Sequence, residues 1–205
     1  MSRDRFRRGI GPVVLSVTFA LAFESACAPR ADGPPVPELT TTPAPTPTPP
    51  TPLHSGIDVS WHSGDIDWHA VRDAGHTFAY LKATEGVDLA DPSFPAHWRA
   101  AKEAGIARGA YHFYVTEDDP EEQARFFISN VELEAGDLVP VVDIEVIGHG
   151  TKPGLADRLR RFCDVLEDHY GVRPVIYTSQ TFWDLHLDPS FGDHPLWIAE
   201  YDVED

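Results

Sequence analysis

From Ser55 onward, short apolar runs and segments of helical spacing take turns along the chain. Residues 56–60 read as a strand, 66–74 as a helix closed by Gly75, and 77–83 as a second strand. Asp91-Pro92 supplies an N-cap and a first-turn proline for a helix with Phe94, Trp98 and Ala101 on one face, ended by Gly105. Strand 106–114 follows. Asp119-Pro120 then repeats the cap signal before Ala124, Phe127, Ile128 and Val131 at helical spacing. Residues 138–145 read as a fourth strand, 155–170 as the longest helix with Gly171 at its end, 175–178 as a fifth strand, 181–185 as a short helix and 195–201 as a sixth strand. Strands separated by helices imply right-handed βαβ units and a parallel sheet. The strands are nearly continuous apolar runs, as expected when both faces are covered. No Gly-rich phosphate loop follows the first strand, which disfavours a nucleotide-binding open sheet and favours a (β/α) barrel. A closed barrel of this type needs about eight strands, and six are legible. The predicted fold is therefore α/β, a TIM-like barrel truncated after the sixth strand. Bare edges beside strands one and six are an aggregation liability, so the expectation is a poorly stable, weakly active chain.

Ahead of this domain lie two segments of different character. Residues 1–30 carry Arg3, Arg5, Arg7 and Arg8, an apolar run from Ile10 to Phe23, and the small residues Ser25-Ala26-Cys27. That is the layout of a secretory signal, and its apolar run is short for a membrane-spanning helix of about 20 residues. Ser25-Ala26-Cys27 resembles the end of a bacterial lipoprotein signal, which places a lipid on Cys27. Glu24 departs from that pattern. The alternative, cleavage after Ala28, leaves Pro29 just past the cut. Residues 31–54 form a Pro/Thr-rich linker, and nine of the 19 prolines fall between 31 and 53. Proline excludes helix and central strand there. A polyproline-like spacer of about 60–70 Å is expected.

Charge narrows the partners. Lys and Arg number 16 against 33 Asp and Glu, a net charge of −17. Removing the five basic and two acidic residues of 1–30 leaves 11 against 31, a net of −20. Such a surface is unsuited to nucleic acid or to anionic lipid, so membrane contact is expected only through the N-terminal anchor. A hydrophobic content of 42% excludes a wholly disordered chain. Beyond the signal the only cysteine is Cys163, among Leu155, Leu159, Phe162 and Leu166 at helical spacing. It reads as a small buried hydrophobe, and no disulfide framework is possible. No cofactor is expected. His54, His62, His97 and His112 form no i, i+4 pair on one helix and have no accompanying cysteine, so no metal site is expected either.

Parallel barrels place their chemistry at the C-terminal ends of the strands. Asp58 ends the first strand, Lys82 to Glu85 the second, Tyr111-His112 the third, Asp143 and Glu145 the fourth, Tyr177 the fifth and Trp197 the sixth. Together they predict one acidic, aromatic-lined cleft. Residues i and i+2 of a strand share a face. With Val142 and Ile144 toward the helices, Asp143 and Glu145 both point inward. Two close carboxylates resist joint ionisation, so one becomes an acid near neutral pH while its partner stays charged. That pair suits glycoside hydrolysis. Asp58 adds a third carboxylate or caps the following turn. Tyr111, Tyr177 and Trp197 either stack on sugar rings or fill the core. Lys82, on an apolar strand, needs a partner among Asp58, Glu85 and Asp143.

The motifs Gly56-Ile57-Asp58-Val59-Ser60, Ile66-Asp67-Trp68, Lys82-Ala83-Thr84-Glu85-Gly86, Gly109-Ala110-Tyr111-His112-Phe113, Val142-Asp143-Ile144-Glu145 and Leu196-Trp197-Ile198-Ala199 occur in this order. Over residues 55–201 the chain closely resembles the family 25 glycoside hydrolases, the Chalaropsis-type lysozymes. The resemblance implies an irregular β/α barrel, C-terminally incomplete over 55–205 because the family continues through two further strands. It implies cleavage of the β-1,4 bond between N-acetylmuramic acid and N-acetylglucosamine in the glycan strands of peptidoglycan. It makes Glu145 the general acid. Asp143 becomes the carboxylate that assists the substrate's N-acetyl group or the activated water, and Asp58 a supporting groove carboxylate. Lys82, Glu85, Tyr111, Tyr177 and Trp197 are expected to line the substrate groove of an exported monomer. Two other classes remain beside this one. They are a metal-dependent polysaccharide deacetylase on a related barrel and a non-catalytic wall-binding module.

Overall fold

The computed structural model describes residues 14–16, 54–149, 151, 153–187 and 189–200. Its strands, in chain order, are β1 (Val14–Ser16), β2 (Ser55–Val59), β3 (His76–Glu85), β4 (Leu89–Ala90), β5 (Ala107–Phe113), β6 (Val141–Asp143), β7 (Val175–Ser179) and β8 (Leu196–Ala199). Its helices are α1 (Trp68–Asp73), α2 (Phe94–Glu103), α3 (Pro120–Asn130), α4 (Leu155–Tyr170) and α5 (Gln180–His186). Six strands run parallel in the order β2-β3-β5-β6-β7-β8. They form a six-stranded half-barrel, the predicted TIM-like (β/α) architecture without closure among the described residues.

Two edges differ from expectation. β1, inside the apolar run read as the heart of an export signal, pairs antiparallel with β2, Val14 opposite Ile57. The edge beside the first barrel strand is therefore covered, because a short Val-Leu run pairs readily with an open ladder. The rest of the signal, Cys27 and residues 31–53 of the Pro/Thr linker lie outside the described residues. A two-residue strand missed in the sequence, β4, folds back on the end of β3, Leu89 opposite Glu85.

Alternation along each strand divides the two faces of the sheet. Val59, Leu81, Ala110, Val142, Ile144 and Ile176 point outward and are buried against Trp68, Phe94, Phe127, Leu159, Phe162 and Leu166 of the helices. The inward face carries polar and aromatic side chains instead. At its base Gly109 faces Tyr80 so closely that an added Cβ would lie 2.2 Å from the ring. A glycine is required there to let the ring pass.

Local signals explain most boundaries. Asp119 caps α3, its carboxylate accepting from the Glu121 and Glu122 N–H groups at 3.0 and 3.1 Å, with Pro120 in the first turn. Gly171 ends α4 in the left-handed conformation, φ 72°. Asp91 departs from its predicted role. Ser93 is the N-cap of α2 and Pro95 its first-turn proline. Asp91 Oδ1 instead accepts from Ser93 N–H at 2.9 Å, and Oδ2 from Trp61 N–H at 2.9 Å. It clamps two loops of the C-terminal face together. The fourth strand is also shorter than predicted, Val141–Asp143. Pro140 has no N–H to donate. Isolated bonds continue the pairing, from Leu138 N–H to Arg108 O at 2.8 Å and from Ile144 N–H to Tyr177 O at 2.9 Å.

Candidate active site

The predicted groups converge at the C-terminal end of the half-barrel. Asp143 ends β6 and sits in register with Phe113 of β5 and Tyr177 of β7. Ile144 between the two carboxylates is fully buried on the helix side. This leaves Asp143 and Glu145 facing the interior, as the two-residue period requires. Burial, then the Glu145 charge, pushes the Asp143 pKa well above the ordinary carboxylate range, and Asp58 and Glu85 add to the rise while Lys82 opposes it. Glu145 is raised too, by burial and then by Asp58, again opposed by Lys82. Asp143 Oδ1 is buried without a hydrogen-bond partner, as expected of an oxygen awaiting a donor. Asp58 keeps an exposed face, yet the walls around it remove enough water to raise its pKa against the pull of its own backbone N–H.

Lys82 finds its partner in Glu85, Nζ to Oε2 at 2.7 Å, and lies 4.9 Å from the centre of the Phe113 ring. Tyr111 stands among the carboxylates. Burial, and then Asp143, Asp58, Asp91 and Glu145, push its hydroxyl well above the usual phenol value. Tyr177 and Trp197 stack edge to face at 5.1 Å. Trp197 also meets Tyr80 at 5.4 Å. Tyr80, absent from the sequence-based site, donates to Val139 O at 3.3 Å, and burial pushes its pKa up to about 12. The signal for it was available, since Tyr80 precedes Lys82 by two positions and so shares its face.

The loop after Glu145 is tied to the loop after β5. Thr116 Oγ1 accepts from Gly148 N–H at 2.9 Å and lies 2.6 Å from the Thr151 hydroxyl. Arg158 of α4, buried, donates to Thr116 O at 3.4 Å and to Asp118 O. Sequence spacing carries no sign of these ties, because each joins positions more than thirty residues apart.

The four histidines are scattered. His54 contacts the Thr77 hydroxyl at 3.3 Å, His62 stacks on Trp61 at 3.8 Å, and His97 accepts from Trp68 Nε1–H at 3.2 Å. His112 lies behind the sheet, outside the cleft. Among the described residues no three His, Cys, Asp or Glu side chains are grouped to hold a metal ion. Cys163 is buried, which pushes its thiol pKa far up.

The raised carboxylates predict a pH-dependent stability. A raised pKa means the fold favours the protonated form. Stability is then greatest below the unfolded value and declines as pH rises through the folded one. Asp143→Asn removes the ionised state, so it is expected to raise Tm at pH 7 by about 2–4 °C. The gain should vanish below about pH 4, where Asp143 is protonated in both states. Thermal melts at the two pH values check this, and a loss of Tm at pH 7 contradicts it.

Comparison with known proteins bears on the family and the fold. The family model Glycosyl hydrolases family 25 matches residues 57–205. Lysozyme M1 of Streptomyces globisporus is 37% identical over 161 residues, covering 72% of this chain and 55% of that protein. The uncharacterized protein YegX of Escherichia coli K12 is 37% identical over 151 residues, covering 71% of this chain and 56% of its own length. The chain thus spans about half the length of these curated relatives. The crystal structure of the bacterial lysozyme from Streptomyces coelicolor superposes with a TM-score of 0.67 at 33% identity, covering 72% of this chain and 74% of that one.

Proposed function

The chain belongs to glycosyl hydrolase family 25, and from that membership we propose that it is a muramidase, cleaving the β-1,4 bond between N-acetylmuramic acid and N-acetylglucosamine in peptidoglycan. The observation that carries the reading is the Asp143/Glu145 pair. Burial and then the Glu145 charge raise the pKa of Asp143, and burial and then Asp58 raise that of Glu145. Such a pair releases its last proton at a higher pH than an isolated carboxyl does.

Glu145 is the general acid. Its proton passes to the glycosidic oxygen as the C1–O bond breaks, and the chain leaves as an alcohol. Asp143 stays ionised and stabilises the positive charge at C1 through the substrate's acetamido group or through the water that adds there. In the empty groove the proton prefers the more desolvated Asp143. An acetamido N–H donated to the unpartnered Asp143 Oδ1 favours its charged form and shifts the proton to Glu145. Substrate binding thereby arms the acid. Asp58 adds negative potential, the Lys82–Glu85 pair lines the groove, and Tyr111, Tyr177 and Trp197 offer ring faces to the sugars.

Residues 1–30 support export, with Cys27 as the lipid-bearing residue of a processed chain that loses β1 and its cover of the β2 edge, and 31–54 as the spacer holding a monomeric domain off the membrane. With a surface this acidic, the anchor supplies the proximity that charge attraction to an anionic wall cannot.

Purified peptidoglycan incubated with the full chain tests the reading. New reducing ends without acetate release are expected. Chelator-sensitive acetate release would make the chain a deacetylase, and binding without cleavage would make it a wall-binding module.

A further inference from the structure

Three fully buried polar residues, Thr84, His112 and Gln123, form a line behind the sheet that no catalytic step uses. Gln123 pairs with one peptide unit in both directions. Its Oε1 accepts from Val115 N–H at 2.8 Å and its Nε2 donates to Val115 O at 3.0 Å. The orientation of the amide follows from those two bonds. Its Oε1 also lies 3.1 Å from His112 Nε2, so His112 carries its proton on Nε2. His112 Nδ1, at 2.7 Å, then accepts from the Thr84 hydroxyl. Phe162 stacks on the imidazole at 5.0 Å and Phe127 meets it edge-on at 6.1 Å. Burial lowers its pKa to about 3, so the ring stays neutral over the working range. It is a fixed strut.

The strut ends at an irregularity. Lys82 pairs with Tyr111, but Thr84 pairs with His112 and Glu85 with Phe113. Ala83 is an extra residue, a bulge in β3. Lys82 and Glu85 are three positions apart, which in a regular strand puts them on opposite faces. The bulge brings both inward, where they pair at 2.7 Å.

We propose that Thr84, His112 and Gln123 are positioning residues that pin the bulge from the helix side and thereby fix the Lys82 ammonium relative to Asp143 and Glu145. The functional meaning rests on the proposed reading of that pair as catalytic, while the geometric claim does not. The groups facing Asp143 are Glu145 on its own segment, Lys82 and Glu85 from β3, Asp58 from β2, Tyr111 from β5 and Tyr177 from β7. Lys82 is the cation of this set. Moving it away weakens the opposition to both raised carboxyls.

The test is a carboxyl-carbon NMR titration of Asp143 and Glu145 in the full chain. Thr84→Val removes the hydroxyl at nearly constant volume. Both midpoints are expected to move to higher pH, by a sizeable fraction of the shift that Lys82→Met produces. Thr84→Ser should keep the wild-type midpoints, and Thr84→Val added to Lys82→Met should shift them little further. Unchanged midpoints in Thr84→Val, even with a lower Tm, would reduce the strut to ordinary packing and overturn the proposal. If Thr84→Val fails to fold, Thr84→Val/His112→Phe carries the same test, since Gln123 keeps its pairing with Val115 and neither end of the lost bond is left unpaired. The titration needs no turnover. An inactive chain would therefore sink the muramidase reading without deciding this one.

Discussion

Glu145→Gln is expected to lower kcat on peptidoglycan by about 10²–10⁴-fold, the usual contribution of a positioned general acid. KM should change little, because the amide keeps the shape of the acid, and Tm should not fall, because a neutral group replaces a carboxyl whose charged form burial disfavours. The loss should depend on the leaving group. A synthetic muramoside with a weakly basic aryl leaving group needs no proton, so Glu145→Gln should recover much of its rate there. Asp143→Asn should not recover, since the charge at C1 develops whatever departs. If Glu145→Gln turns over peptidoglycan at the wild-type rate, the acid is another group, and Asp143 is the next candidate.

Arg108→Ala is expected to lower stability by about 3–5 kcal/mol, because removing one partner strands the other's buried charge. For a chain of this size that is a fall in Tm of roughly 6–20 °C. The Arg108 side chain is 3% exposed and its partner Asp137 is 7% exposed. The guanidinium grips Asp137 with two bonds, at 2.7 and 3.1 Å, and reaches Glu134 at 2.9 Å and Trp98 O at 2.8 Å. It also lies 4.0 Å from the centre of the Trp98 ring. Arg108→Lys should recover only a small part, since an ammonium makes neither the fork nor the planar stack. The residues Arg108 holds, 134–137, lead into β6, so the same variant should weaken the support of Asp143. Circular dichroism melts decide the point. A loss below about 1 kcal/mol would mean that solvent reaches this cluster and screens it.

What the sequence disclosed depended on whether the signal was local. Asp119-Pro120 marked its helix correctly because cap and first turn are neighbours in the chain. Asp143-Ile144-Glu145 could be assigned a face because the alternation of β6 runs on past its last residue, where Ile144 N–H still pairs with Tyr177 O. Asp91-Pro92 misled for the converse reason. A carboxylate able to cap its own helix found a partner thirty residues away, at Trp61 N–H. Arg108 sits in an apolar strand as Lys82 does, and the same reasoning marks both as needing partners. Its partners lie 26 and 29 residues further on, in a segment that reads only as loop. The bulge at Ala83 carries no Gly or Pro, so nothing local announces it. The bond that flanks it, from the Thr84 hydroxyl to the His112 imidazole of β5, spans 28 residues of sequence.

The central claim concerns which bond is cut. Purified peptidoglycan digested with the full chain, reduced with borohydride and resolved by liquid chromatography with mass spectrometry identifies the sugar at each new reducing end. Cleavage by the Asp143/Glu145 pair predicts reduced N-acetylmuramic acid at every new terminus, and about 10²–10⁴-fold less of it in the same time with Glu145→Gln. Reduced N-acetylglucosamine at the new ends, or intact glycan strands, would contradict it.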